Sequence, residues 1–199
     1  MTDRKLPCDN NFRYRLSQKQ KEEIAQNLID ILSKNAMITE DTVTFVGNWI
    51  LTDRIRKGKD YFDVWDIVLK NYMPTSRPVL FRSCRRRYDG KIVSFTGGLE
   101  SARRFSRGKG FLIICDTKDA LENEEALYKS GEYRHTFYPL VEVLEIAKKS
   151  GGWGFSDRLL NVYIGEQEYI MRIDKECMHS FKWTTNDWKY DVFLDVYYA

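Results

Sequence analysis

The sequence predicts an α+β protein in which a helical N-terminal lobe, residues 1–75, precedes a strand-rich part, residues 76–199. Apolar residues recur at helical spacing in the first part, whereas short β-like runs dominate the second. Strands and helices do not alternate regularly, which argues against a doubly wound parallel sheet. With 43% hydrophobic, 14% aromatic and 31% charged residues, the composition excludes collagen-like, low-complexity and disordered classes.

Three helices are predicted in the lobe: from Ser17 as N-cap to about Lys34, from Thr39 as N-cap to Lys57-Gly58, and from Asp60 to Tyr72. Ser17 and Thr39 are suitable N-caps because their hydroxyls accept hydrogen bonds from the first free backbone N–H groups of a helix. The proline-bounded run 74–78 then predicts a linker to the second part.

The second part contains six short runs that predict strands: Val79–Ser83, Lys91–Phe95, Gly110–Cys115, Tyr169–Ile173, His179–Thr184 and Tyr190–Tyr197. Three helices are expected among them: Leu99–Ser106, with Ala102 and Phe105 on its inner face, about Asp119–Lys129, and Leu140–Lys149. Helices first and strands afterwards are typical of α+β proteins.

The chain lacks the sequence features of a membrane or disulfide-rich protein. No apolar run approaches the roughly 20 residues of a membrane span, and no apolar segment follows the basic residues of Met1–Pro7 as in a signal peptide. We therefore expect a cytoplasmic protein with no membrane partner. The cysteines Cys8, Cys84, Cys115 and Cys177 lie far apart without a C-x-x-C pair, which predicts reduced thiols and no zinc site.

The distribution of charge is more informative than the net charge of +3. Residues 82–109 hold nine basic and two acidic side chains, a local net charge of +7, whereas residues 116–142 have a local net charge of −4. This contrast indicates a polarised surface with an anionic ligand on one side. The triple arginine Arg85-Arg86-Arg87 also fits an ordinary solvated face.

Two motifs lie at successive strand ends. The first strand ends on Arg82, whose guanidinium donates two parallel charge-assisted hydrogen bonds to a phosphate. Ser94-Phe95-Thr96 places two hydroxyls at the next strand end, ahead of Gly97-Gly98, where a backbone can approach a ligand closely. Taken alone, the first motif also fits a solvated strand edge and the second a helix-capping turn.

The third motif is Glu166-Gln167-Glu168, ahead of an apolar strand. On an extended backbone, positions i and i+2 face the same way, so we expect both carboxylates on one side of the strand entry. One carboxylate can stabilise a developing cation while the other accepts a proton. An exposed pair of glutamates in a turn is the alternative interpretation.

Together the three motifs resemble the arginine-serine-glutamate class of mono-ADP-ribosyltransferases, the cholera-toxin-like class found among bacterial toxins and bacteriophage effectors. The resemblance covers residues 78–199 and implies a core of two packed, mostly antiparallel β-sheets. It also implies that NAD binds as a substrate in the cleft between the sheets, without a metal. A helical lobe ahead of this core is similar to many toxin and bacteriophage members.

The resemblance implies a role for each motif. Arg82 resembles the residue that binds the NAD phosphates and the adjoining ribose, and Ser94 and Thr96 resemble the hydroxyls that hold the site together. Glu168 resembles the catalytic glutamate that stabilises the oxocarbenium ion, and Glu166 resembles the carboxylate on the acceptor side. An aromatic ring is expected against nicotinamide, and five residues are candidates: Phe95, Phe105, Trp153, Phe155 and Tyr163.

The expected function is transfer of ADP-ribose from NAD to a macromolecular acceptor, as a toxin, anti-phage defence or phage effector enzyme. Protein arginine is favoured because of the Glu-x-Glu pattern, with RNA or DNA close behind because of the basic segment 82–109. An antitoxin or inhibitor protein is a further partner to consider.

Two other functions remain open at this point. One is a nucleic-acid-binding module in which segment 82–109 contacts phosphates and Tyr88 stacks on bases. The other is a regulatory interaction protein with a degenerate site, against which the intact Arg82, Ser94 and Glu168 argue.

Overall fold

The computed structural model describes residues 15–52, 56–85, 91–106, 109–119, 121, 136–172 and 178–183. These residues form an α+β fold, which confirms the predicted fold class. The helices are α1 (Gln18–Lys34), α2 (Glu40–Leu51), α3 (Lys59–Asn71), α4 (Leu99–Ser106), α5 (Leu140–Lys149) and α6 (Asp157–Glu166). The strands are β1 (Val79–Cys84), β2 (Ile92–Thr96), β3 (Phe111–Asp116), β4 (Phe137–Tyr138), β5 (Glu168–Arg172) and β6 (His179–Lys182).

The predicted N-caps begin the first two helices. The Ser17 hydroxyl accepts from the Gln20 N–H, and the Gln20 side chain accepts from the Ser17 N–H in return, which completes a capping box. Thr39 caps α2 in the same position. The expected end of α2 at Lys57-Gly58 is wrong: α2 ends at Leu51 because the backbone of Thr52 is extended, and Gly58 is instead the N-cap of α3.

The described strands form one antiparallel sheet in the order β4-β5-β2-β1-β3-β6. The described part of the chain therefore contains one sheet, whereas the resemblance implied two. Helix α6 and the two-residue strand β4 were not predicted. The predicted strand Tyr190–Tyr197 and most of the predicted helix 119–129 lie outside the described residues.

The largest apolar cluster joins the N-terminal helices to the rest of the fold. It contains buried residues of α1, α2 and α3 together with residues of α5, α6 and the sheet, among them Ile92 of β2 and Ile170 of β5. Tyr138, which is fully buried, donates a hydrogen bond of 2.7 Å to the Leu28 carbonyl of α1. The two parts of the chain therefore share one core, while the division into residues 1–75 and 76–199 stays a prediction.

Two smaller clusters follow from the alternation of side chains along the strands. On one face, Leu80, Phe95 and Ile113 pack together, and on the other face Phe81 and Leu112 pack against α4. Two of the four cysteines, Cys84 and Cys115, lie among the described residues, and both are buried thiols. None of the helices that the structure describes is both long and apolar enough to cross a membrane.

A buried ion-pair network holds α1 on α3. Lys21 is 9% exposed, and its Nζ lies 2.6 Å from an Asp60 carboxylate oxygen and 2.8 Å from one of Asp63. Burial raises the pKa of Asp60, but hydrogen bonds from Lys21 and the Leu16 N–H outweigh it and hold the pKa below its usual range. The pKa of Asp63 is lowered in the same way, with Lys59 as a further donor.

We predict that Lys21→Met destabilises the protein near neutral pH by about 3 kcal/mol, because it removes the buried cation that Asp60 and Asp63 share. Since the aspartate pKa values are depressed in the folded state, this stabilisation is present above about pH 4 and is lost as the pH falls through the folded values. Melting temperatures of wild type and Lys21→Met should therefore differ by roughly 6–12 °C at pH 7 and converge on acidification.

The matched control is Lys19→Met. Lys19 pairs with Glu23 on the same helix at 3.6 Å, but the two side chains are 83% and 59% exposed. Exposed pairs contribute little to stability, so this variant should melt within about 1–2 °C of wild type at every pH. An equal loss in both variants would show that helix propensity, and not the buried network, is responsible.

Candidate functional site

A cavity lies where strand pairing between β1 and β2 stops. The two strands share one register pair, Phe81 with Thr96, whereas β1 pairs with β3 over six positions and β2 with β5 over five. The cavity has a volume of about 330 Å³ and is lined by residues of α2, β1, β2, α4, α6 and β5 as well as by Lys57. A volume of this size is within the range of small-molecule sites.

One face of β2 and β5 changes from apolar to polar along its length. In the register of these strands, Ser94 is opposite Ile170 and Thr96 is opposite Glu168. By alternation, Ser94, Thr96 and Glu168 share the face on which Ile92 and Ile170 pack against the N-terminal helices. The helical core therefore ends where the polar side chains of the cavity begin.

Two donors hold one oxygen of Glu168. The Ser94 hydroxyl donates a short hydrogen bond to Oε1, and the Trp49 indole Nε1 donates to the same oxygen at 3.0 Å. Trp49 lies on α2, Ser94 on β2 and Glu168 at the start of β5. The carboxylate therefore ties the helical lobe to two adjacent strands.

Arg82 reaches across the gap between β1 and β2. Its Nη1 donates to the Ser94 carbonyl at 2.7 Å, at a point where strand pairing has stopped. Arg82 and Lys57 are the cations among the residues that line the cavity, and Lys57 Nζ lies 3.7 Å from the ring centroid of Trp49. Two cations beside a carboxylate-bearing cavity suit a ligand that carries both phosphate and a developing positive charge.

The extended geometry expected for Glu166-Gln167-Glu168 is wrong. Glu166 is the last residue of α6, Gln167 is left-handed with φ of 50°, and Glu168 begins β5. The two carboxylates still line one cavity, because this turn joins the helix end directly to the strand. Thr96 Oγ1 donates to the Glu166 carbonyl at 2.6 Å, which fastens the turn to the end of β2.

The environment of Glu166 favours its protonated form. Burial raises the pKa of Glu166, the neighbouring Glu168 raises it further, and Arg104 acts in the opposite direction. Burial, with the same two glutamates, also raises the pKa of Tyr163. Glu166 therefore takes up a proton at a higher pH than an exposed glutamate does, which suits a group that exchanges protons with a ligand.

The structure brings all six sequence-predicted site residues to the cavity: Arg82, Ser94, Phe95, Thr96, Glu166 and Glu168. Phe95, however, is only 2% exposed and packs in the core cluster with Leu80 and Ile113, so its ring offers little surface to a ligand. The roles that the resemblance implied for these residues stay predictions.

Of the other aromatic candidates, Phe105 and Tyr163 line the cavity. Trp153 and Phe155 pack with the helical core instead. The expectation that Phe105 points into the core is wrong, since it is 61% exposed. Phe105 continues the face of α4 that carries Ala102. Because the last turn of α4 lies beside the cavity, the Phe105 ring faces the cavity there and not the core.

Sequence reasoning missed the contribution of the helical lobe to the site. Trp49, Ile50 and Lys57 line the cavity, and none of them was a candidate. The apolar spacing of α2 places Trp49 near its inner face, but nothing in that spacing indicates a hydrogen bond to a residue 119 positions away. No group of three or more potential metal-ligating side chains occurs in the described segments.

Comparisons of the chain with protein-family models, with curated proteins and with solved structures found no match.

We predict that Glu168→Gln lowers the pKa of Glu166, because it removes the like charge while burial remains. Arg104→Ala should move the pKa of Glu166 the opposite way, since it removes the opposing positive charge. Carboxyl ¹³C NMR titration of glutamate-labelled protein measures both shifts. Arg103→Ala is the control, because Arg103 pairs with Glu100 at 2.8 Å, and an unchanged Glu166 titration in Glu168→Gln would contradict the assigned coupling.

Proposed function

We propose that this protein is an NAD-dependent mono-ADP-ribosyltransferase. The observation that carries the proposal is the convergence of Arg82, Ser94 and Glu168 on one cavity, although they come from three strands. Arg82 donates to the Ser94 carbonyl and the Ser94 hydroxyl donates to Glu168, so the three residues form one hydrogen-bonded chain. This connected arrangement supports the roles that the sequence resemblance implied.

The sheet itself supports the proposal. The single register pair between β1 and β2 divides it into β4-β5-β2 and β1-β3-β6, each held by longer pairings. We propose that these halves correspond to the two packed sheets of the transferase core. The cavity at their junction then occupies the position of the NAD cleft.

In the proposed reaction, the bond between C1′ of the nicotinamide ribose and the nicotinamide nitrogen breaks, and the bonding electrons leave with neutral nicotinamide. The positive charge that develops on the ribose is stabilised by the Glu168 carboxylate, as fixed carboxylates do in glycosidases. The acceptor nucleophile bonds to C1′ and gives up its proton, which Glu166 is placed to take. Arg82 binds the pyrophosphate, and Lys57 adds a second positive charge beside it.

We propose protein arginine as the acceptor because Glu166 stands beside Glu168 in the same cavity, where a guanidinium would meet two carboxylates. The exposed ring of Phe105 at the cavity adds a planar surface on which a guanidinium can stack. Nucleic acid is the competing acceptor. Arg86, Arg87 and Arg107 of the basic segment that supports this alternative lie outside the described residues.

Glu168→Gln should lower transfer from labelled NAD by about 100- to 1,000-fold, because it removes the charge that opposes the oxocarbenium ion. The fold and NAD binding should be retained, since shape and one hydrogen-bond acceptor remain. Glu145→Gln, an exposed position on α5, is the matched control and should keep wild-type activity. Near-normal transfer by Glu168→Gln would exclude Glu168 as the catalytic glutamate.

Glu166→Ala should abolish transfer to protein while slow NAD hydrolysis continues, since water does not need a carboxylate to position it. Nicotinamide release and label incorporation from a cell lysate, measured in parallel, separate the two activities. Protease treatment should release the label. Label that resists protease but is released by nuclease would contradict protein arginine as the acceptor.

A further inference from the structure

The indole of Trp49 joins the helical lobe to Glu168 by a hydrogen bond. Its Nε1 donates to Glu168 Oε1 at 3.0 Å, although the two residues are 119 positions apart. Trp49 is 2% exposed, so the donor side of this partly buried hydrogen bond is shielded from water. A hydrogen bond to an ionised carboxylate is stronger than one between neutral groups, and shielding strengthens it further.

Packing fixes the direction in which this N–H points. The Trp49 ring meets the edges of Phe62 at 6.1 Å and Trp65 at 5.4 Å, and Tyr61 lies 6.1 Å away at a tilt. Lys57 Nζ covers one face of the same ring at 3.7 Å, in cation–π contact. An indole has a single donor, which moves only with the ring, so the aromatic cluster determines where the donor points.

Both hydrogen bonds that the described residues donate to Glu168 reach the same oxygen. Ser94 and Trp49 converge on Oε1 from β2 and from α2. A hydroxyl rotates about its Cβ–Oγ bond and can follow the carboxylate, whereas the indole donor cannot. Two donors thus hold Oε1, whereas Oε2 accepts no hydrogen bond from the described residues.

We propose that Trp49 is a positioning residue that, together with Ser94, holds Oε1 of Glu168 so that Oε2 is presented to the ribose of the substrate. This inference rests on the proposed transferase function. The inference gives the N-terminal helices a role in the site. Helix α2 supplies the second hydrogen-bond donor to the Glu168 carboxylate, and the rings packed around Trp49 hold that donor in place. Misplacing a catalytic group by a fraction of an ångström slows the chemical step more than it weakens substrate binding.

The test compares Trp49→Phe with Trp153→Phe. Trp153 packs against the same helical core but does not line the cavity, so the second substitution removes the same atoms without removing a donor to Glu168. Trp49→Phe should lower kcat for NAD cleavage by about 10- to 100-fold with little change in KM, the size of effect seen when an orienting partner is lost. Trp153→Phe should keep kcat near wild type. Equal kcat values for the two variants would overturn the proposal.

A second replacement guards against misfolding of Trp49→Phe. Benzothienylalanine at position 49 keeps the shape of indole and exchanges its N–H for sulfur, so it removes the donor alone. The same fall in kcat is expected, and wild-type kcat with this residue would overturn the proposal.

A measurement of melting temperature, which needs no activity assay, separates this inference from the proposed function. If Trp49 anchors Glu168, Trp49→Phe and Glu168→Ala together should lower the melting temperature by less than the sum of their separate effects, whereas Trp153→Phe and Glu168→Ala should be additive. Additive effects in the first pair would overturn the anchoring. A wild-type protein that cleaves no NAD would sink the transferase proposal and leave this coupling measurable.

Discussion

The carboxylate of Glu168 is the group on which the arrangement of the site depends. A partly buried charge is costly unless hydrogen bonds replace the water it has lost. Here the replacement comes from two directions, because Ser94 donates from the neighbouring strand and Trp49 donates from helix α2. The site is therefore complete only while the helical lobe is docked on the sheet.

The helical lobe docks on the sheet by burying apolar side chains. The cavity lies where this apolar contact ends. Helices α1, α2 and α3 pack on the face that carries Ile92 and Ile170, and Tyr138 closes the contact with its hydrogen bond to α1. Further along this face, Ser94, Thr96 and Glu168 replace apolar residues. Burying polar side chains against an apolar helix face costs free energy unless they are hydrogen-bonded, so apolar packing stops there and the cavity begins.

N-cap residues and apolar spacing predicted the helices whose formation depends on residues close together in sequence. Ser17 and Thr39 begin helices because a hydroxyl cap acts within one turn, and Leu99–Ser106 and Leu140–Lys149 follow from apolar spacing. Helix α6 was missed because Leu160 is its one buried residue, which leaves little periodicity to detect. The segment Glu166-Gln167-Glu168 was predicted as extended because the left-handed backbone at Gln167 has no sequence signal comparable to glycine.

The site was predictable in its residues but not in its assembly. Arg82, Ser94 and Glu168 could be found because each belongs to a short polar motif in or beside an apolar run, although Arg82 and Ser94 lie inside β1 and β2 and not at the strand ends that were expected. The partial pairing of β1 with β2 could not, since pairing is decided between strands and not within either one. Trp49 carried no sequence signal for the site, because its ring packs in the core while its single N–H reaches Glu168.

The long sequence separations within the site determine when it can form. Trp49 and Glu168 lie 119 residues apart, and Leu28 and Tyr138 lie 110 residues apart. Contacts between residues so far apart in sequence carry a cost in loop-closure entropy. We therefore expect them to form after the local helices and hairpins. A chain that has formed its helices but not yet paired β5 with β2 holds Arg82 and Ser94 without an oriented Glu168. In this order of folding, the Glu168 carboxylate becomes oriented only after helix α2 and strand β2 are in place beside it.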